Sequence, residues 1–336
     1  MRSDASRRDM TMNKLSPAQA RQAWTASGTV IAAAPVAPAA WIGPAHRDES
    51  EVAAPAHTHR WKRLLASRTT LIAAVVLIGY LLLAVVGDRL APYPPLEFHY
   101  QDTLQAPSST YWLGTDQYGR DIFSRVLAGA RTIVMIAFGA TALGVAAGTL
   151  VGLTAGYYGG KIDEVIMRCG DGVMSFPSLL LALLVLTTLG PSVVNIIVAV
   201  AITFIPRVAR IIRSVALDLR TQPFVQAAQA RGERAPYIIV REMLPNALPA
   251  IIVESSVRIG YAILIGASLG FLGLGVQPPT PDWGLMIYEG RSMIQASPWV
   301  VIGPAIAIST LVIAANLFAD GVSRVLDHGE HLEDLA

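Results

Sequence analysis

With 336 residues, 53% hydrophobic and 15% charged, the chain has the composition of an integral membrane protein and not of a soluble domain. Its formal net charge of +2 carries little information, because the placement of Lys and Arg sets orientation in a membrane, and arginines that flank apolar runs without interleaved aromatics do not suggest a nucleic-acid partner. The single Cys169 excludes an internal disulfide framework and a cysteine metal cluster.

Residues 1–60 are rich in Ala, Pro, Ser and His, lack a sustained apolar period and read as a disordered cytoplasmic tail. The run Gly28–Ala40 is proline-broken, too short to span a bilayer and too far from the start for a signal peptide. His46, His57 and His59 lack a carboxylate framework and read as solvated residues instead of metal ligands. The organised part is expected over 61–327.

Trp61, Lys62, Arg63 and Arg68 form a basic, aromatic anchor before a first predicted span, Thr70–Val86, and place the N-terminus in the cytoplasm. An extracytoplasmic segment, 87–130, follows. It contains Gly114, Thr115, Asp116, Gly119, Arg120 and Asp121, with Arg125 just beyond. The glycines permit tight bends and the charges can tie the segment together, as an interfacial clamp or as a substrate contact.

In the second predicted span, Ile133–Tyr157, Ala140, Gly144, Gly148, Gly152 and Gly156 recur every four residues and define one close-packing helix face. Residues 158–171 read as a short loop. Gly160-Lys161 mimics part of a nucleotide-binding loop, but Ala155 and Ile162 stand where such a loop needs Gly and Ser or Thr, so no ATP site is expected. Ser175 to Ser178 opens a third span running to Leu189. Gly190-Pro191 turns into a fourth, Val193–Ile205, which Pro206 is expected to end.

Arg207, Arg210, Arg213, Arg220, Arg231, Arg234 and Arg241 outnumber Asp218, Glu233 and Glu242, which puts the loop 206–246 in the cytoplasm. Within it Thr221 is positioned to cap a short helix with Pro223 in its first turn, and Gly232 stands where that helix should stop, with Pro236 beyond. Ala227, Ala228 and Ala230 keep this helix thin, which makes it a docking surface.

A fifth span, Ala247–Leu274, carries Glu254 and Arg258 four residues apart, as a structural pair or a substrate contact. The proline-rich loop after it holds Pro279, Asp282, Trp283 and Gly284. It reads either as a receptor-facing loop or as a loop brace with Trp283 at the membrane interface. The sixth span is Trp299–Phe318, and 328–336 form a short cytoplasmic tail. His328 and His331 lack the spacing of a metalloprotease motif.

The run Gln226-Ala227-Ala228, then Arg231-Gly232 and Leu244-Pro245, resembles the EAA loop of ABC importer permeases, although Gln226 stands where that pattern has Glu. Blocks at 112–121, 175–182, 226–245 and 268–284 resemble, in that order, the dipeptide, oligopeptide and nickel permeases over approximately Ser67–Asp327. The resemblance implies an all-α type I importer permease fold of about six transmembrane helices. It implies half of the translocation pathway of an ATP-driven importer for di- or oligopeptides, with glutathione or a nickel complex as alternatives. The implied partners are a second, homologous permease, two cytosolic ATP-binding subunits and an extracytoplasmic peptide-binding protein. ATP and Mg would be bound by those ATPases, leaving this chain without catalytic residues, cofactor or metal. The implied location is the bacterial cell membrane, with both termini cytoplasmic. The competing class is a secondary transporter without an ATPase; the alanine-glycine loop and the missing intramembrane carboxylate relay speak against it.

Overall fold

In a bilayer every backbone N–H and C=O needs a partner within the chain, so the apolar runs fold as helices. In the computed structural model residues 67–333 are described, with side chains to 326, and they contain no strand. The tail 1–60 with its histidines lies outside the described residues, as do the side chains of His328 and His331. The helices are α1 (Arg68–Leu90), α2 (Ile122–Tyr158), α3 (Gly160–Met174), α4 (Ser178–Leu189), α5 (Val193–Arg220) and α6 (Pro223–Ala230). They continue as α7 (Ala235–Phe271, π-helical over Ile238–Met243), α8 (Trp283–Gly290) and α9 (Trp299–Glu333).

The four-residue glycine period of α2 is matched on α5. A Cβ at Gly148 would lie 2.6 Å from Val208 Cβ, and one at Gly156 would lie 2.5 Å from Ala216 Cβ. Gly144 and Gly152 meet Phe204 and Ile212 in the same way. Each step of four along α2 corresponds to a step of four along α5 in the same direction, so the two helices run parallel with backbones nearly touching.

That register decides the topology. Between two parallel neighbours the chain must recross the membrane, and only residues 159–192 are available. The α3–α4 pair, bent by 87°, is therefore one broken span. With α1, α2, α5, α7 and α9 the described residues supply six candidate crossings. Residues 158–171, expected as a loop, are mostly α3: Ile162, Val165, Ile166, Cys169 and Val173 follow a helical period, and two of the three acidic side chains find arginines on α5. Asp163 pairs with Arg213, and Asp171 with Arg210.

Pro206 does not end the fourth span. α5 runs through it to Arg220, because Phe204 and Val208, on either side of the proline, are both locked against α2, and a membrane helix with packed neighbours tolerates an interior proline. α2 begins at Ile122, eleven residues ahead of the expected start of the span, so part of the segment assigned to 87–130 is helix.

The buried core runs from Ile133 and Leu153 on α2 through Ile196 and Ile212 on α5 to Ile263 on α7, and continues into Val225, Ala228, Ile238 and Met243 of the polar loop. α1 contributes little to it. Its Ile72, Val75 and Val85 are exposed, which suits a lipid-facing helix, and Gly87 and Thr70 hold it where they abut Leu127 and Gly321.

Replacing Gly148 by Val is expected to lower stability by at least about 1–3 kcal/mol, because the new Cβ meets Val208 and the Ile205 carbonyl. Gly172→Ala, where nothing lies within 4 Å, should be tolerated. Thermal unfolding of both variants in detergent checks the contrast, and equal midpoints would sink the packing account.

Candidate functional site

The polar loop after α5 is a rigid corner. α5 closes with Thr221, whose hydroxyl donates to the Asp218 carbonyl (2.8 Å), so Thr221 ends one helix and does not cap the next. Gln222 occupies the N-cap of α6 without a side-chain bond, with Pro223 at the first helical position. α6 ends in a Schellman motif: Glu233 N–H donates to the Ala228 carbonyl (3.2 Å) and Gly232 N–H to the Gln229 carbonyl (2.9 Å). Gly232 takes φ +79°, a left-handed conformation natural to glycine.

One face of α6 is anchored and the other is free. Val225 and Ala228, three apart, are buried in the core cluster with Ile238 and Met243. Gln226, Ala227, Gln229, Ala230, Arg231 and Gly232 are exposed. Of the residues singled out in sequence, Ala228 is thus an anchor, while Gln226 and Ala227 face outward. The Gln226 amide donates to the Thr221 carbonyl (2.9 Å), tying the helix to its own entrance. Arg231 lies 3.6 Å from Glu242 and spans the corner. Leu244 is half-buried and Pro245 exposed at the start of the regular α-helical part of α7.

At the other end, a four-charge cluster holds the outer segment. Asp116 accepts from Arg120 Nε (2.7 Å) and Arg125 Nη1 (2.5 Å). Glu289 of α8 accepts from Arg120 Nη2 (3.1 Å) and Arg125 Nη2 (3.4 Å). The second oxygen of Asp116 takes the N–H groups of Tyr118 and Arg120. Asp121 does a different job: it caps α2, accepting from Ser124 N (2.9 Å) and Ser124 Oγ (2.6 Å). Thr115 is buried and its hydroxyl donates to the Asp102 carbonyl. Asp102 also accepts from Tyr111 (2.9 Å), and burial together with this carboxylate pushes the Tyr111 phenol up to about 12. Gly114 and Gly119 have φ of +76° and +74°, and a Cβ at Gly119 would fall 1.9 Å from the His99 carbonyl.

The loop read as receptor-facing turns mostly inward. Trp283 is fully buried, donates to the Val126 carbonyl (2.8 Å) and meets Tyr80 edge-on at 5.7 Å. It is a bolt between α8 and α2, not an interfacial anchor. Asp282 is buried and caps α8 through Leu285 N–H (2.8 Å), and Gly284 abuts Gly270 at the end of α7. Pro279 alone of the four is exposed. Deep in α7, Glu254 and Arg258 are bonded to each other (2.5 Å) with Phe204 and Tyr261 rings 5.6 Å from the guanidinium, so the pair is closed on itself.

Sequence reading missed Glu289, which lies more than 160 residues from the arginines it joins. The block carries two acids and two arginines, so its sequence looks balanced; the need for a further acid appears only once Asp121 is taken up by the cap of α2.

Two measurements probe this end of the protein. Asp116→Asn should destabilise by about 3–5 kcal/mol, as expected when one partner of a buried ionic cluster is neutralised; a thermal midpoint matching wild type in lipid nanodiscs would contradict the cluster. Burial pushes the Asp282 carboxyl up to about 6 from 3.8. A raised native pKa means stability is greatest below about pH 4 and is lost as pH rises through 6. Asp282→Asn keeps an oxygen for the cap and removes the charge, so its stability relative to wild type should rise between pH 4.5 and pH 7; a flat difference refutes this.

Residues 148–330 match the family described as binding-protein-dependent transport system inner membrane component, and residues 59–107 match the N-terminal transmembrane domain of oligopeptide transport permease C. The dipeptide transport system permease protein DppC of Alkalihalophilus pseudofirmus is 39% identical over 267 residues, 80% of this chain and 88% of that one. The glutathione transport system permease protein GsiD of Pectobacterium atrosepticum is 40% identical over 268 residues, 80% and 89% of the two chains. Among solved structures, a chain of the MetNI methionine ABC transporter in an inward-facing conformation superposes with a TM-score of 0.50 at 18% identity, over 60% of this chain and 96% of that one, a likeness of fold. The chain belongs to the family of binding-protein-dependent transport system inner membrane components, and is a multi-pass, all-α permease subunit of a bacterial ABC importer in the inner membrane.

Proposed function

We propose that this permease forms half of the pathway of an importer for small peptides, and that α6 with its Gly232 corner is where ATPase movement enters it. The carrying observation is the division of α6 into a buried face, Val225 and Ala228, continuous with the membrane core, and an exposed face of small and polar residues. A partner's groove can approach such a thin helix closely, and force applied there is borne by α5 and α7 without an intervening flexible linker.

The arginine-rich ends of α5 and α7 favour a cytoplasmic position for α6. With six crossings, both chain ends then lie in the cytoplasm as well. Two cytosolic ATP-binding subunits are the natural occupants of this face and of its counterpart on a second, homologous permease, with ATP and Mg held by the ATPases and no catalytic step in this chain. ATP binding would draw the two α6 helices together and open the spans outward, and hydrolysis would reset them. The dipeptide and glutathione permeases among the relatives support a peptide with two or three residues as cargo, delivered by an extracytoplasmic binding protein. The self-contained Glu254–Arg258 pair favours this over a proton-coupled carrier, which needs a titrating group within reach of the pathway.

Purification in mild detergent, with mass-spectrometric identification of stoichiometric partners, tests the assembly; an intact complex without ATPase subunits would overturn the reading. In the reconstituted complex, Gly232→Val forces a branched side chain into a left-handed backbone, a strain of roughly 1–2 kcal/mol or more. Dipeptide uptake per ATP hydrolysed is expected to fall severalfold. An unchanged ratio would show that the corner does not transmit movement.

A further inference from the structure

The outer segment between α1 and α2 presents aromatic side chains to solvent. Phe98, Tyr100 and Tyr118 are 47%, 73% and 44% exposed. Phe98 stacks on Tyr100 with ring centres 5.7 Å apart and meets Tyr118 edge-on at 6.0 Å. Beneath them lies the buried Arg120 guanidinium, 4.6 Å from the Tyr118 ring centre and 5.7 Å from that of Phe98. Arg120 is fixed from below by Asp116 and Glu289, and the side-chain-free Gly119 allows the backbone at His99 to press against the turn. The aromatic face is thus held rigid before anything binds it. Contiguous exposed apolar surface on an ordered segment marks an interaction site, and rigid Tyr and Phe around an Arg is the composition of an interface hot spot.

Two surfaces are available to such a face outside the membrane: lipid headgroups and another protein. The charge pattern separates them. Residues 91–121 carry four carboxylates, Glu97, Asp102, Asp116 and Asp121, and one arginine, the buried Arg120, with no lysine. A segment that lies on an anionic bilayer needs exposed Lys or Arg, and here there are none. The interfacial aromatic role is filled by Trp112, exposed and packed on Phe123 in the first turn of α2 at 4.9 Å. A protein partner remains.

We propose that the Phe98–Tyr100–Tyr118 face is the docking surface for the extracytoplasmic solute-binding protein on which this family depends. The inference rests on the importer reading above and moves the contact away from residues 282–284, which are buried. Its position also has a mechanical consequence. Arg120 joins the face to Glu289 on α8, and α8 touches the outer end of α7 at Gly284 and Gly270, where a Cβ on Gly270 would sit 2.9 Å from the Gly284 Cα. The opposite end of α7 begins at the α6 corner. Docking therefore bears on α7, the helix whose other end adjoins the proposed ATPase contact on α6.

The test uses the assembled transporter in nanodiscs with the purified binding protein of the same system, loaded with dialanine. A photo-crosslinking amino acid is placed at position 98, 100 or, as control, 72, an exposed site on the lipid-facing helix α1. Positions 98 and 100 should give covalent adducts with the binding protein, and position 72 only with lipid. Tyr100→Glu with Phe98→Glu should weaken binding-protein affinity at least tenfold. Lipid adducts alone at 98 and 100, or affinity unchanged in the double variant, would overturn the docking surface while leaving the importer intact. Failure of the binding protein to bind the wild-type complex at all would overturn the importer reading and this inference together.

Discussion

The close parallel contact between α2 and α5 is the constraint on which the rest of the structure depends. In lipid an apolar side chain gains nothing by leaving its surroundings for another helix, so association rests on van der Waals contact at short range. The glycines at 144, 148, 152 and 156 permit it, bringing α2 against the Ala201, Ile205, Ala209 and Arg213 carbonyls of α5. A parallel register cannot be made by neighbours in sequence. It commits residues 159–192 to a return crossing, and so makes the bent α3–α4 pair a span. It also brings Asp163 and Asp171 beneath Arg213 and Arg210, and it holds α5 helical through Pro206.

A second rule houses two groups of buried charges: each is neutralised by opposite charges beside it. Glu254 and Arg258 neutralise each other within one turn of α7. Asp116 and Glu289 face Arg120 and Arg125 across three pieces of chain. Removing charge from water gains little stability, since desolvation offsets the attraction between the partners, yet a satisfied cluster admits few alternative arrangements. Here it fixes the outer segment to α8 in a single register, and with it the aromatic face that Arg120 supports.

Local features were legible in the sequence because their causes are local. The glycine period of α2, the left-handed corner at Gly232, the i,i+4 pair at 254 and 258 and the positive flanks of the spans each follow from residues within a turn or two of one another. Most of what was not legible depended on a distant neighbour. Pro206 is a helix breaker until α2 grips both sides of it. Residues 158–171 look like a polar loop until arginines fifty or so residues later absorb their acids. Trp283 has the amphipathic character of an interfacial residue, but the Val126 carbonyl offers its indole N–H a partner inside the bundle. Asp121 was grouped with Asp116 by composition, whereas the start of α2 claims it as a cap. For Pro206, residues 158–171 and Trp283 the partner was out of sight; for Asp121 it was Ser124, three residues on, hidden only because the helix was expected to start at Ile133.

The departure at Gln226 bears on how the α6 corner works. A glutamate at this position would carry a charge able to reach an arginine on a partner. The glutamine instead donates to the Thr221 carbonyl at the junction of α5 and α6, a group that a carboxylate cannot satisfy because it has no proton to give. Arg231 meanwhile reaches Glu242 at the base of α7. The corner is thus cross-linked to both flanking helices by its own side chains, with Val225 and Ala228 sealing it from below. A loop held in this way has few internal degrees of freedom in which displacement is lost. On the proposed reading of α6 as the ATPase contact, coupling would depend on shape, the fit of a thin helix in a cleft, more than on a particular ion pair, and glutamine at position 226 is compatible with that task.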